Sequence, residues 1–148
     1  MTIRPATPDD AAVIADFQIQ MARETEGMEL DPATVRAGVS AVFTDPGKGT
    51  YYVAEADGQV VASLLTVPEW SDWRCRTILW IHSVYVTPTH RRRGIFGALY
   101  GHLKEQVQSD PALGGLRLFV ERDNRVAQQT YTQMGMDGEH YRMFEWMK

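Results

Sequence analysis

Val84-Tyr85-Val86 runs into Thr87-Pro88-Thr89-His90-Arg91-Arg92-Arg93-Gly94-Ile95-Phe96-Gly97-Ala98-Leu99, and this stretch holds the densest chemical signal in the chain. β-Branched residues give way to a short basic segment, and glycines then open a helical pattern. Backbone N–H groups at such a helix start lack partners inside the helix, and the dipole adds partial positive charge, so an anion suits them. Gly94 and Gly97 leave room for a phosphate to approach the backbone. The Gly-Lys-Ser/Thr ending of a P-loop is missing, as is the first glycine of a dinucleotide G-x-G-x-x-G. For these residues alone, a solvated basic patch at a glycine-softened helix start is the competing reading.

Acids concentrate elsewhere, between Glu24 and Asp31. An anion near Arg91–Arg93 and a cation near these acids is one reading; two solvated surfaces is the other. Glu69-Trp70-Ser71-Asp72-Trp73 pairs acids with aromatic faces, which suits a cationic ligand, although loop tryptophans also serve as packing anchors. The four histidines have no metal-ligand spacing with other ligands, so no metal is expected. Cys75 is the single cysteine, which excludes an internal disulfide and fits a reducing compartment. With no signal-like apolar stretch at the N-terminus and no long apolar run, a cytoplasmic protein that does not cross a bilayer is expected. A net charge of −4 disfavours nucleic acid as a partner.

The elements that position these residues follow from periodicity. The 148 residues suit one domain spanning 1–148. A short extended segment (2–4) leads to Thr7-Pro8-Asp9-Asp10, which can cap a helix carrying Val13, Ile14, Phe17 and Met21 on one stripe, ended by Gly27. Asp31-Pro32 starts a second helix with Val35, Val39 and Val42 on one face, and Asp45-Pro46-Gly47 stops it. Residues 51–56 and 59–67 flank Asp57-Gly58, a strong hairpin signal. Residues 68–76 read as a loop, 77–86 as a core strand, and 94–107 as a helix. A strand over 116–120, a helix over 125–134 closed by Gly135, and a final strand over 141–147 complete the order. This is an α/β mixture around a mixed sheet, not a regular doubly wound fold.

Arg91-Arg92-Arg93-Gly94-Ile95 resembles the Q/R-x-x-G-x-G/A pyrophosphate loop of the GNAT superfamily of N-acetyltransferases, and a strand precedes it as in that family. Downstream, Asn124-Arg125-Val126-Ala127-Gln128-Gln129-Thr130-Tyr131-Thr132-Gln133-Met134-Gly135-Met136 resembles the second signature, N-x-x-A-x-x-x-Y-x-x-x-G-F. The element order matches as well, so the resemblance covers essentially the whole chain. One position departs from the pattern: Phe96 stands where the loop ends in Gly or Ala, with Gly97 after it.

The resemblance implies a mainly antiparallel, mixed sheet flanked by helices and splayed at a coenzyme A site, with acetyl-CoA as co-substrate and a small or peptide amine, cationic in some members, as acceptor. A homodimer is compatible with the family. N–H groups of Arg91, Arg92, Arg93, Gly94, Ile95, Phe96, Gly97 and Ala98 would hold the diphosphate. The backbone edge at Val84, Tyr85 and Val86 would pair with the pantetheine amides. Asn124 would fix the cofactor arm, and Tyr131 would protonate the departing thiolate. An alkyl ammonium needs a base before it can attack. Trp80 occupies the strand position where some members carry glutamate, so His82, two residues along the same face, is one candidate base; Glu24 and Glu26 are rivals as bases or clamps for a cation. A coenzyme A-binding sensor without turnover is the alternative that the missing glutamate leaves open.

Overall fold

A computed structural model describes residues 1–148. Residues 1–118 and 119–148 form two compact units.

The first unit is a five-stranded sheet in the order β1-β2-β3-β4-β5, with β1 Thr2–Pro5, β2 Thr50–Ala56, β3 Gln59–Ser71, β4 Arg76–Val86 and β5 Leu113–Leu118. Neighbours are antiparallel except β4 and β5, which are parallel and joined through helix α3, Ile95–Ser109. Helices α1 (Ala11–Glu26) and α2 (Pro32–Thr44) connect β1 to β2. A short 3-10 turn, Pro8–Asp10, precedes α1, so its entry is tighter than the sequence alone predicts. There the Thr7 N–H donates to Asp10 Oδ2 at 2.8 Å. Arg4 donates to the same carboxylate and to Glu55, which ties β1, β2 and the start of α1 together. Asp10 is buried, and its bond from Arg4 holds its pKa below the ordinary carboxylate value.

Gly27, at φ 61°, closes α1 in the left-handed conformation that glycine adopts without strain. Asp31 caps α2 by accepting from the Thr34 N–H at 3.0 Å, and the expected valine face is seated: Val39 is buried, with Val35 and Val42 packed around it. Ile14 and Ala15 of α1 meet Val39, Tyr51 and Val53 in one apolar cluster. Asp57 and Gly58 both have positive φ, 52° and 73°, as a two-residue type I′ hairpin requires.

Residues 68–76, expected as a loop, are mostly strand. β3 continues to Ser71, and Pro68 pairs with Leu79. Proline disrupts a central strand because it cannot donate on one side. Here β2 stops at Thr50↔Thr66, so beyond Thr66 β3 has a neighbour on one side only, and a residue without N–H fits. The turn is confined to 72–75, with the Arg74 N–H bonded to the Ser71 carbonyl. β5 likewise begins and ends earlier than expected, and Phe119 and Val120 lie beyond it, exposed.

The second unit contains α4, Arg125–Gln133, ended by Gly135 at φ 88° as expected. The strand expected over 141–147 is not formed. No ladder includes the segment, and Phe144 and Trp146 are about nine-tenths exposed. Alternating side chains give a segment a strand-like pattern, but a paired neighbour is what makes it a strand.

Candidate active site

β4 changes character along its length. From Thr77 to Ile81 it pairs with β3 on one side and with β5 on the other. The β5 ladder ends at Ile81↔Leu118, so His82–Val86 is paired with β3 alone and its other edge is open. Between Leu65↔His82 and Ser63↔Tyr85, β3 supplies one residue while β4 supplies two, Ser83 and Val84. This is a β-bulge, and Ser83 bends it at φ 52°. The Thr87 N–H donates to the Val61 carbonyl on β3 at 2.9 Å. By strand alternation the amide and carbonyl of Val86 face the open edge, and those of Val84 share it.

The chain leaves this edge through a 3-10 turn, Pro88–His90, and reaches α3 with Arg92 (φ 63°) and Gly94 (φ 75°) left-handed. Gly94 is the cap of α3, and the first helical bond there runs from the Ala98 N–H to the Gly94 carbonyl at 3.0 Å. The N–H groups of Ile95 and Gly97 therefore precede helical bonding and stay available to an acceptor. The buried Ile95 side chain anchors the turn, and the Phe96 ring lies 6.3 Å from Tyr100, one helical turn along α3.

Four polar side chains meet beside this turn. Glu24, at the end of α1, accepts from the Tyr85 hydroxyl at 3.0 Å and from Arg91 Nη2 at 2.5 Å. The Tyr85 hydroxyl also lies 3.0 Å from Gln20 Oε1, and its ring packs 5.1 Å from Phe17. Arg91 Nε donates to the Val86 carbonyl at 2.9 Å, and the guanidinium lies 5.4 Å from the centre of the Tyr85 ring. The Arg91 guanidinium, followed by the Tyr85 hydroxyl, holds the Glu24 carboxyl below its usual pKa. Burial, with Glu24 next, raises the Tyr85 phenol.

The acidic and basic stretches are joined in the fold rather than lying on two separate surfaces. Glu24 of the acidic stretch is bound to Arg91 of the basic one; Glu29 pairs with Arg23; Asp31 is spent as a helix cap. As a bonded carboxylate with a lowered pKa, Glu24 is a weak proton acceptor. Glu26 is exposed and takes part in no ion pair.

The pattern of an open strand edge leading into a glycine-capped helix start coincides with a family match. The model of the Acetyltransferase (GNAT) family matches residues 15–136. The chain belongs to the GNAT acetyltransferase family. A crystal structure described as that of a possible acetyltransferase from Clostridium difficile 630 is similar over 99% of this chain and 97% of its own, at 41% identity and a TM-score of 0.93. A ribosomal-protein-alanine N-acetyltransferase from Brucella melitensis biovar Abortus 2308 shares the fold at 16% identity and a TM-score of 0.80, over 99% of this chain and all of that one. An aminoglycoside acetyltransferase from an uncultured soil metagenomic sample does so at 17% identity and 0.73, over 99% and 98%. No curated protein matches the sequence significantly.

Within this GNAT chain, His82 stands at the boundary of the two halves of β4. It lies opposite Leu65, and its ring is 6.4 Å from that of Trp80 in a near-parallel stack. Burial lowers its pKa, so at neutral pH the imidazole is uncharged and can accept a proton. Trp80 also carries the Arg117 guanidinium 5.9 Å from its ring centre, and Arg117 pairs with Glu69 at 2.8 Å. Glu69 is thus engaged in an ion pair. Trp70 and Trp73 are 63% and 91% exposed, so they are not local packing anchors.

In the second unit Asn124 caps α4, its Oδ1 accepting from the Ala127 N–H at 3.1 Å. The side-chain N–H₂ keeps its two donors. Tyr131 follows seven residues later, on the same helical face, and is half-buried. Burial raises its phenol pKa, so it holds its proton at neutral pH. No group of three or more His, Cys, Asp or Glu side chains is placed to hold a metal ion, and no helix is long and apolar enough to cross a membrane.

Proposed function

We propose that the protein is an acetyl-CoA-dependent N-acetyltransferase that moves the acetyl group directly to a primary amine. The observation that carries this is the sequence of backbone groups from His82 to Gly97. An open strand edge leads within a dozen residues to a helix start whose first N–H groups have no acceptor inside the helix. That order suits a ligand with an amide-bearing arm followed by a diphosphate: the amides add to the edge at Val84 and Val86, and the diphosphate accepts from Ile95 and Gly97. Gly94 brings the backbone round at positive φ.

The chemistry follows from the side chains. An ammonium near pKa 10 is about a thousandth neutral at pH 7, so a base must remove its proton. Neutral His82 takes it, directly or through one water. The amine lone pair attacks the thioester carbonyl carbon, and the carbonyl oxygen gains charge beside the Val84 N–H at the bulge. As the carbon–sulfur bond breaks, the thiolate takes up a proton from a donor, the role that the family resemblance gives to Tyr131. The products are an amide and coenzyme A thiol: the proton taken by His82 returns to solvent, and the second proton, lost by the nitrogen as the intermediate collapses, replaces the one given to the thiolate. Glu26 supplies the remaining negative charge that a cationic acceptor would meet.

The test is to incubate the protein with acetyl-CoA and a panel of amines: amino acids, polyamines, aminoglycosides and peptides with free N-termini. Thiol release and the acetylated product's mass are followed together. Release above the amine-free rate, matched by a gain of one acetyl group, is expected. Tight coenzyme A binding with no acetylated product from any amine would replace this reading with that of a binding module.

A further inference from the structure

Three consecutive arginines stand at the anion turn, and the structure treats them unequally. Arg91 is held from three directions: by Glu24 on α1, by the Val86 carbonyl on the strand, and by the Tyr85 ring beneath it. Arg92 and Arg93 are exposed and take part in no ion pair. Glu24 and Arg91 lie 67 residues apart, and their contact bridges the end of α1 to the turn between β4 and α3.

From this division we propose that Glu24 is a positioning residue for the cofactor turn, acting through Arg91, while Arg92 and Arg93 supply the charge that meets the diphosphate. The proposal rests on the coenzyme A reading given above. It assigns Glu24 neither proton transfer nor acceptor binding. Geometry separates it from the competing idea that Glu24 merely withholds Arg91 from the ligand. Arg91 Nε is already committed to the Val86 carbonyl, so the guanidinium is fixed to the strand end as well as to α1. A side chain fixed at both ends braces the segment between them. The turn from Thr87 to Gly94 contains two left-handed residues, Arg92 and Gly94, whose backbone geometry must be held for Ile95 and Gly97 to present their N–H groups together.

The experiment compares coenzyme A binding by calorimetry with hydrogen exchange of the amides at 91–97 in the ligand-free protein. Glu24→Gln should weaken binding about fivefold, as an exposed ion pair allows, and should speed exchange across the turn. Arg91→Glu should weaken binding further by placing two acids together. Adding Glu24→Arg in that background should recover about fivefold and restore protection. Arg91→Glu with Glu26→Arg makes the same change in net charge two residues away, and it should recover less. Arg92→Gln and Arg93→Gln should flatten the salt dependence of binding and leave exchange unchanged.

Tighter binding in Glu24→Gln would overturn the proposal, as would equal recovery by the two charge reversals. A wild-type protein that does not bind coenzyme A would remove the cofactor reading. The exchange data would still decide the brace, because turn amides unaffected by Glu24→Gln contradict it.

Discussion

The two halves of β4 are built from similar residues and differ in what lies beside them. Thr77–Ile81 has a strand on each side, so its backbone donors and acceptors are consumed in ladders. His82–Val86 has a strand on one side, a bulge at its start and an open edge on the other. Buried backbone groups are normally paired, and an unpaired row marks a place for another extended chain or ligand. The fold thus draws an open edge from ordinary strand sequence by leaving out a neighbour.

Proline substitution breaks this comparison most sharply. Leu79→Pro removes a donor from the doubly paired half, where proline has no place, and is expected to give no folded protein. Val86→Pro removes an N–H that faces the open edge. It should yield a folded protein, seen as a cooperative melt, with coenzyme A binding weakened at least tenfold. Equal damage from the two substitutions would deny that the halves differ.

Tyr131→Phe asks how much of the rate arises away from β4. It should lower kcat by roughly 10–1000-fold and leave coenzyme A affinity nearly unchanged, the range expected for a lost proton donor. A normal chemical-step rate in single turnover would return Tyr131 to a packing role.

His82, where the two halves meet, gives a pH signature. Its folded pKa lies below the ordinary value near 6.5, so the unfolded chain binds its proton more readily. His82 therefore contributes stability that is present above about pH 6.5 and is lost as pH falls through the lower folded value. The rate should fall over the same acid range as the base becomes protonated. His82→Gln should cut kcat by about 10–100-fold and remove both acid limbs, measured as pH–rate and pH–melting curves.

The smallest effect is expected at Glu26. Glu26→Gln should raise KM about two- to threefold for a cationic acceptor, leave a neutral amine unaffected, and fade above about 0.5 M salt. Equal changes for both acceptors would assign the loss to the fold.

Local chemistry explains what was legible in the sequence. Asp57-Gly58, Asp31-Pro32 and Gly27 set backbone angles by themselves, so the hairpin and both helix boundaries follow from a few adjacent residues. The glycine-capped start of α3 and helix α4 are visible for the same reason. The extension of β3 through Pro68 was not visible, because it depends on β2 ending at Thr50, and residues 141–147 show the reverse failure. Ser83 gives no sign of the bulge, since a left-handed serine leaves no mark in the sequence. The role of Glu24 was hidden by distance: an acid 67 residues from its arginine reads as a surface charge until the fold joins them.

The bulge also carries a consequence for how the open edge is kept. Side chains alternate along a strand, so His82 and Tyr85, three apart, would ordinarily point to opposite faces. Yet both face the helical layer: Tyr85 touches Phe17, and His82 stands opposite Leu65, which packs with Ile14 and Val39. The extra residue resets the phase between the two halves. Deleting Ser83 or Val84 would let β4 pair with β3 without interruption, but one half of the strand would turn over, taking Ile78 off the face it shares with His82, or Tyr85 off its contact with Phe17. Each large apolar side chain turned out costs about 1.5–3 kcal/mol. The hydrophobic core thereby guards a backbone irregularity that it never touches chemically, and a repair of the ladder would be read by the protein as an error of parity.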